Sequence, residues 1–238
     1  MIGGIVFDFD GTLVDSNDIK LQTFYEVTKS HDPTGTIIAH ILKQSPNKDR
    51  YEIFQAFVQE LFTKDGTVLP DNSAAFATQW AQDYTVTCEK AIAACDEVLG
   101  TSETFKWIFG QHIPIFINSR TPTATLKRLV TLRSLHSYIT EVYGAPASKA
   151  ENLRHIQNQT QAKSKDILFV GDSEDDREAA LEVGCHFVGV VLRGKSRFPS
   201  PPPDSCIPNL FHLQQIVTVL HAKNPKVITP IEEFLEPS

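Results

Sequence analysis

The sequence predicts an α/β fold, a doubly wound parallel sheet with an inserted α-helical domain. Three observations predict it: short apolar runs of strand length, stretches of helical periodicity between them, and one interval between strands that is too long for a single crossover. With 238 residues, 41% of them hydrophobic, the chain is long enough to bury a core of this size.

Five runs rich in Val, Ile and Phe stand between polar segments. Runs that are apolar throughout are typical of strands buried on both faces of a parallel sheet. We therefore predict strands at residues 4–10, 113–118, 138–144, 167–172 and 185–192.

Helical spacing separates the last four of these runs. Apolar residues recur at helical spacing, first at Leu126, Leu129 and Leu132. They recur again at Ala179, Ala180 and Val183. The repeated order of strand, helix and strand predicts a Rossmann-like, doubly wound sheet.

The interval after the first strand breaks this rhythm. From residue 17 to residue 94 the apolar residues keep helical spacing, and turn-forming pairs occur at 32–33, 45–46 and 65–66. We interpret this stretch as an inserted helical domain. The predicted domains are a core of residues 1–16 and 95–222, a helical cap of residues 17–94 and a C-terminal tail of residues 223–238.

The segment after the fifth strand begins with a Pro-rich stretch at residues 198–203, which predicts an extended loop. A final core helix is indicated by apolar residues at helical spacing, namely Leu210, Leu213, Val217 and Leu220.

Composition argues against several classes of function. The formal net charge is −7 and no long basic run occurs, so neither a nucleic-acid binder nor a membrane-surface protein is expected. No signal peptide or membrane-span pattern is present. Four widely spaced cysteines form no C-x-x-C pair and indicate reduced thiols. We expect a cytoplasmic protein, either a monomer or a small homo-oligomer.

The first predicted strand ends in two carboxylates, Asp8 and Asp10, before a turn at Gly11. Ligands of open α/β sheets bind at this carboxyl edge. Side chains two residues apart in a strand point the same way, so the two acids would concentrate negative charge and attract a divalent cation. A solvated strand end followed by an Asx turn would explain the same residues without any ligand.

The longer string DFDGTLVDS at residues 8–16 decides between these interpretations. It closely resembles the first motif of the haloacid dehalogenase superfamily of phosphohydrolases, and that family's later motifs follow in order. The placement of the helical insert resembles the helical-cap subgroup, called C1, that includes phosphoglycolate phosphatase-like enzymes.

The second motif of that superfamily places a Ser or Thr after the second strand, and Ser119 matches it. The resemblance implies that Ser119 hydrogen-bonds the substrate phosphate. The adjacent Arg120 is a candidate for a further phosphate contact. Alternatively, Ser119 or Thr121 could cap the helix that begins near Pro122, and Arg120 could be a surface charge.

The third and fourth motifs follow the third and fourth strands. Lys149 resembles the third-motif lysine, although a lone surface lysine usually has no such role. The string GDSEDD at residues 171–176 resembles the fourth motif, with Asp172 as a metal ligand and Asp176 supporting the metal shell. A helix start with Ser173 as N-cap would also suit this string.

The resemblance implies a magnesium-dependent phosphatase acting on a small phosphorylated metabolite, a sugar phosphate or a phosphoglycolate-like compound. Mg²⁺ would be held by the Asp8 carboxylate, the Asp10 backbone carbonyl and Asp172. Asp8 would form an aspartyl-phosphate and Asp10 would be the acid/base. Ser119, Arg120 and Lys149 would bind the phosphate.

Other functions on the same fold stay open. A phosphosugar mutase would keep every core motif, whereas a dehalogenase or a phosphonate-cleaving enzyme is disfavoured because Asp10 is present. A non-catalytic binding module could also retain the fold, because fold does not fix function.

Overall fold

The computed structural model describes residues 2–44, 48–64 and 72–221. The chain forms two compact units, one being Ser16–Ala94 and the other the chain before and after that segment. The predicted tail at residues 223–238 and the predicted turns at 45–46 and 65–66 lie outside the described residues.

The two core segments that flank the inserted unit are hydrogen-bonded to each other. The backbone N–H of Asp15 donates to the carbonyl of Asp96 at 3.0 Å, and the N–H of Val98 donates to the carbonyl of Leu13 at 2.9 Å. The core chain therefore leaves toward the helical unit and returns from it at neighbouring points.

The described part of the core unit contains a six-stranded sheet in which every paired neighbour is parallel. The strand order β3-β2-β1-β4-β5-β6 confirms the predicted doubly wound fold. The strands are β1 (Gly4–Phe7), β2 (Ile115–Pro122), β3 (Glu141–Ala145), β4 (Ile167–Gly171), β5 (His186–Val190) and β6 (Cys206–Ile207).

The α-helices of the described residues connect these strands, form the inserted unit or, in the case of the last one, follow the final strand. They are α1 (Asn17–Thr28), α2 (Thr36–Gln44), α3 (Arg50–Lys64), α4 (Ser73–Ala94), α5 (Thr101–Gly110), α6 (Thr123–Leu132), α7 (Lys149–Thr160), α8 (Glu174–Val183) and α9 (Leu213–His221).

Two strand boundaries differ from the prediction in a way that affects the site. Strand β1 ends at Phe7 rather than residue 10, because the chain turns there: the N–H of Leu13 donates to the Phe9 carbonyl, and Gly11 has a φ of 76°. Strand β2 continues to Pro122 through a register shift, so Ser119 lies inside the strand.

The prediction of five strands was incomplete. Strand β6 has two residues, and it pairs with β5 through Val190 and Ile207 after the Pro-rich loop. Two residues are too few for an apolar period to be visible in the sequence.

The sheet is covered on both faces, as its apolar strands require. Val6, Phe116 and Phe169 pack with Leu153 of α7 and Ala180 of α8. On the other face the Phe7 ring lies 5.0 Å from the ring of Phe105 in α5. Alternate residues of β1 therefore bury against helices on opposite sides.

The helical unit has an aromatic core of its own. The Phe24 ring of α1 lies 4.2 Å from that of Tyr84 in α4 and 5.5 Å from that of Phe54 in α3. The buried Asp32 carboxylate accepts the backbone N–H groups of Ile37 at 2.8 Å and Ile38 at 3.1 Å, which satisfies the first turn of α2.

Within the described residues, no helix combines the length and apolarity that a membrane span requires. All four cysteines are described, and none forms a disulfide.

Candidate functional site

The predicted site residues converge on the carboxyl edge of the sheet, where the strand order turns. Asp8 and Asp10 follow β1, and Asp172 follows its neighbour β4. Ser119 lies near the end of β2 on the other side of β1, and Lys149 is the first residue of α7. This is the place where doubly wound folds bind their ligands.

Three carboxylates form the centre of the site. Asp8, Asp172 and Asp176 are all buried, and each offers an oxygen within 4.8 Å of the other two. Buried carboxylates so close together repel one another unless cations compensate their charge.

Lys149 is the buried counter-ion of this cluster, with 7% of its surface exposed. Its Nζ donates to Asp8 Oδ1 at 3.0 Å and to Asp176 Oδ1 at 2.5 Å, and lies 3.8 Å from Asp175 Oδ2. Burial acts to lower the pKa of Lys149, but the charges of Asp176 and Asp8 outweigh it and raise that pKa. The amine therefore stays cationic.

The pKa of Asp8 is raised to about 7. Burial is the largest cause, and the carboxylates of Asp176 and Asp10 add to it, while the charge of Lys149 opposes them. Burial likewise raises the pKa of Asp176 against the opposing charge of Lys149. One lysine thus compensates the acidic cluster only in part.

The start of α7 holds Lys149 in place. Ser148 is the N-cap, and it exchanges reciprocal hydrogen bonds with Glu151 in a capping box. The buried Asn118 of β2 donates to the Lys149 carbonyl at 2.9 Å, and Asn152 donates to Asn118 Oδ1 at 3.0 Å. The lysine backbone is therefore tied to the neighbouring strand.

The start of α8 holds Asp176 in the same manner. Asp176 Oδ2 accepts from the N–H of Ser173 at 3.1 Å and from its Oγ at 2.5 Å, while Oδ1 faces Lys149. The predicted helix start with Ser173 as N-cap is present. The Asp176 carboxylate that completes this capping box also accepts a hydrogen bond from Lys149. A Cβ on Gly171 would overlap the Asp176 side chain, so the strand end leaves room for it.

Ser119 and Asp10 are both hydrogen-bonded to Thr121, for which the sequence indicated only a possible role as a helix cap. The Thr121 hydroxyl donates to Asp10 Oδ2 at 3.1 Å, and the Thr121 N–H donates to Ser119 Oγ at 3.2 Å. The N-cap of α6 is Pro122, so neither hydroxyl caps that helix. Among the described residues Ser119 Oγ accepts one hydrogen bond and donates none.

Arg120 has a partner at the rim of the site. Its Nε and Nη2 donate to the two Asp175 carboxylate oxygens at 2.9 and 2.6 Å. The phosphate contact predicted for Arg120 stays a prediction. In this structure the Arg120 guanidinium forms a two-bonded pair with the Asp175 carboxylate.

Arg197 is a site residue that no sequence motif predicted. Its Nη1 donates to Asp172 Oδ2 at 2.8 Å from the loop between β5 and β6. No motif marks this arginine, because the contact depends on the course of a Pro-rich loop rather than on a periodic element.

The chemistry of the cluster fits Mg²⁺. Its ligand atoms are carboxylate oxygens, which this hard cation prefers. The carboxylates of this cluster outnumber the cationic side chains of Lys149 and Arg197, so the site has a negative charge that a divalent cation could balance. The backbone contribution expected from Asp10 stays a prediction.

Comparison with known proteins agrees with this geometry. A sequence profile of haloacid dehalogenase-like hydrolases matches residues 5–190, most of the chain. The chain belongs to the haloacid dehalogenase-like hydrolase family. The match spans the carboxyl edge of the sheet and the inserted helical unit of this family member. The search of curated proteins returned no match.

Solved structures of the family share its fold. A predicted phosphoglycolate phosphatase from Haemophilus somnus matches with a TM-score of 0.71 and 18% identity, covering 91% of this chain and 98% of that one. A provisionally assigned β-phosphoglucomutase from Thermotoga maritima has a TM-score of 0.67 at 15% identity, with 91% and 100% covered.

A third structure is a provisionally assigned hydrolase of the family from Bacillus subtilis bound to magnesium. It matches with a TM-score of 0.67 at 15% identity over 90% of this chain and 97% of that one. At such identities these likenesses show the fold alone.

Proposed function

We propose that this family member is a Mg²⁺-dependent phosphatase. Its substrate is a small phosphomonoester, a sugar phosphate or a phosphoglycolate-like metabolite. The observation that carries the proposal is the direct contact of the buried Asp8 carboxylate with Lys149 inside a group of further carboxylates. A carboxylate suited to nucleophilic attack, a fixed cation and oxygen atoms suited to a divalent metal lie together at one sheet edge, which supports the proposal.

Asp8 is the nucleophile in this proposal. One of its carboxylate oxygens attacks phosphorus, the bond from phosphorus to the ester oxygen breaks, and an aspartyl-phosphate forms. Lys149 remains charged beside the Asp8 carboxylate, and the Ser119 hydroxyl donates to a phosphoryl oxygen.

Asp10 is the acid/base. It protonates the leaving alkoxide, then accepts a proton from the water that attacks the phosphorus of the aspartyl-phosphate. The second attack breaks the bond between phosphorus and the Asp8 oxygen and releases inorganic phosphate. The hydrogen bond from Thr121 fixes the Asp10 carboxyl in one orientation for both transfers.

The Asp8 carboxylate, Asp172 and the Asp10 backbone carbonyl would hold Mg²⁺, which when bound would favour ionised Asp8 and neutralise charge on the phosphoryl oxygens. The helical unit of residues 16–94 is the proposed cap, which selects the leaving group.

The test measures phosphate release from a panel of small phosphomonoesters in Mg²⁺ and in EDTA. Three proteins are compared: wild type, Asp8→Asn, and Asp204→Asn as a matched control at an exposed aspartate after the Pro-rich loop. Release should require Mg²⁺, survive in Asp204→Asn and fall by at least about a thousandfold in Asp8→Asn, since the nucleophile is lost.

A chemical trap tests the intermediate separately. Borohydride added during turnover would reduce an aspartyl-phosphate at Asp8 to homoserine, which peptide mass spectrometry detects. Asp8→Asn with wild-type turnover would refute the mechanism. Transfer of phosphate between sugars with little release would instead indicate a mutase.

A further inference from the structure

The loop between β5 and β6, residues 191–205, carries three cationic side chains, Arg193, Lys195 and Arg197. The proposed chemistry uses none of them. Arg193 pairs with Asp15 and Lys195 is exposed, whereas Arg197 reaches the buried Asp172 carboxylate.

The residue after Arg197 anchors the loop. The buried Phe198 ring packs edge-on to Phe187 of β5, with ring centroids 5.9 Å apart. A Cβ on Gly189 would lie 2.9 Å from the Phe198 ring, so this glycine creates the space that the ring fills. The Phe198 N–H donates to Ser196 Oγ at 3.1 Å. Arg197 therefore lies in a fixed turn.

A second anchor lies further along the loop. Arg177 of α8 donates from Nη1 to the Pro201 carbonyl at 2.8 Å, and the same guanidinium binds Glu174 in the first turn of that helix. The loop is thus attached both to β5 and to the helix that begins just after Asp172.

The contact between Arg197 and Asp172 joins a half-exposed cation to a buried anion. The Arg197 side chain is 53% exposed and the Asp172 side chain 5% exposed, and the contact uses Asp172 Oδ2. A carboxylate can bind a metal through one oxygen while its other oxygen accepts a hydrogen bond, and such supporting bonds orient metal ligands.

The guanidinium could either compete with a divalent cation for Asp172 or support its binding. The charge balance favours support, because the buried carboxylates of the metal cluster outnumber Lys149 and Arg197 even when Asp10 carries the proton that its acid role requires. A negative charge therefore remains for a divalent cation with Arg197 still in place. The two anchors of the loop also favour a contact that persists.

We propose that Arg197 is a positioning residue for the metal site. Its guanidinium holds the Asp172 carboxylate in the orientation that binds Mg²⁺. This inference rests on the metal site of the proposed function. It extends that site to a loop outside every motif.

The test is metal binding by the substrate-free protein. Mn²⁺, whose unbound fraction electron paramagnetic resonance measures directly, is titrated and then competed with Mg²⁺. Arg197→Gln should weaken both ions by about 10-fold to 100-fold, the usual effect of losing a hydrogen bond to a ligand. Arg197→Lys keeps the charge and should lie between.

Lys195→Gln is the matched control, because it also removes one positive charge from the same loop. Lys195 is exposed and lies two residues before Arg197. It should leave metal affinity within about twofold, since solvent screens that charge. A thermal melt in EDTA checks that Arg197→Gln is folded. A purely structural role would lower the melting temperature and leave metal affinity unchanged.

Equal metal affinity in Arg197→Gln and wild type would overturn the inference and leave the proposed function intact. Tighter binding by Arg197→Gln would also overturn it, and would identify the guanidinium as a competitor. If wild type bound neither ion, the metal site of the proposed function would fail, and this inference with it.

Discussion

Replacing Lys149 by Met removes the buried counter-ion and leaves the carboxylates it contacts. Asp8 at 3.0 Å and Asp176 at 2.5 Å would both lose their cationic partner in a buried environment. Breaking a buried pair from one side costs about 3–5 kcal/mol, because the remaining charge is uncompensated. With a urea slope of about 2 kcal/mol/M, the unfolding midpoint should fall by about 2 M.

The assay is urea unfolding followed by circular dichroism in EDTA at pH 8. The matched control is Lys127→Met, which removes an equal charge from a surface pair with Glu141 at 2.9 Å, where the side chains are 54% and 40% exposed. That pair should contribute less than about 1 kcal/mol. A loss below about 1 kcal/mol in Lys149→Met as well would refute the counter-ion role of Lys149.

Three further outcomes are expected. Gly171→Ala should displace the Asp176 side chain from its cap and lysine contacts, which a lowered melting temperature and slower phosphate release would report together. Phe105→Ala should cost about 3–5 kcal/mol of unfolding free energy in urea, because the ring is fully buried against Phe7. Burial raises the pKa of Cys185 to about 11, so its thiolate fraction at pH 8 falls about hundredfold. Peptide mapping should show slow alkylation of Cys185 in the folded protein and fast alkylation in urea.

The sequence predicted those parts of the fold that depend on local pattern. Strand β4 was placed within one residue of its observed end, because a strand buried on both faces is apolar at every position. Strand β3 was placed less accurately: its burial alternates and its predicted start, at Tyr138, lies in a short 3-10 turn. Edge strands carry a weaker apolar signal.

The motifs predicted which residues meet, but not how they pair. That Lys149 binds Asp8 and Asp176 together depends on where α7 and α8 begin relative to two strands, which sequence order does not fix. The link from Thr121 to Asp10 depends on the register shift in β2. Arg197 reaches the site through the packing of Phe198, a tertiary contact without a sequence period.

The closeness of the two ends of the inserted segment gives this protein a natural excision point. Because the backbone of Asp15 is hydrogen-bonded to that of Asp96, a few glycines could replace the whole Ser16–Ala94 unit without stretching the core chain. Every residue of the candidate site lies outside the excised segment. One helical insert could therefore be exchanged for another during evolution without altering any residue of the candidate site.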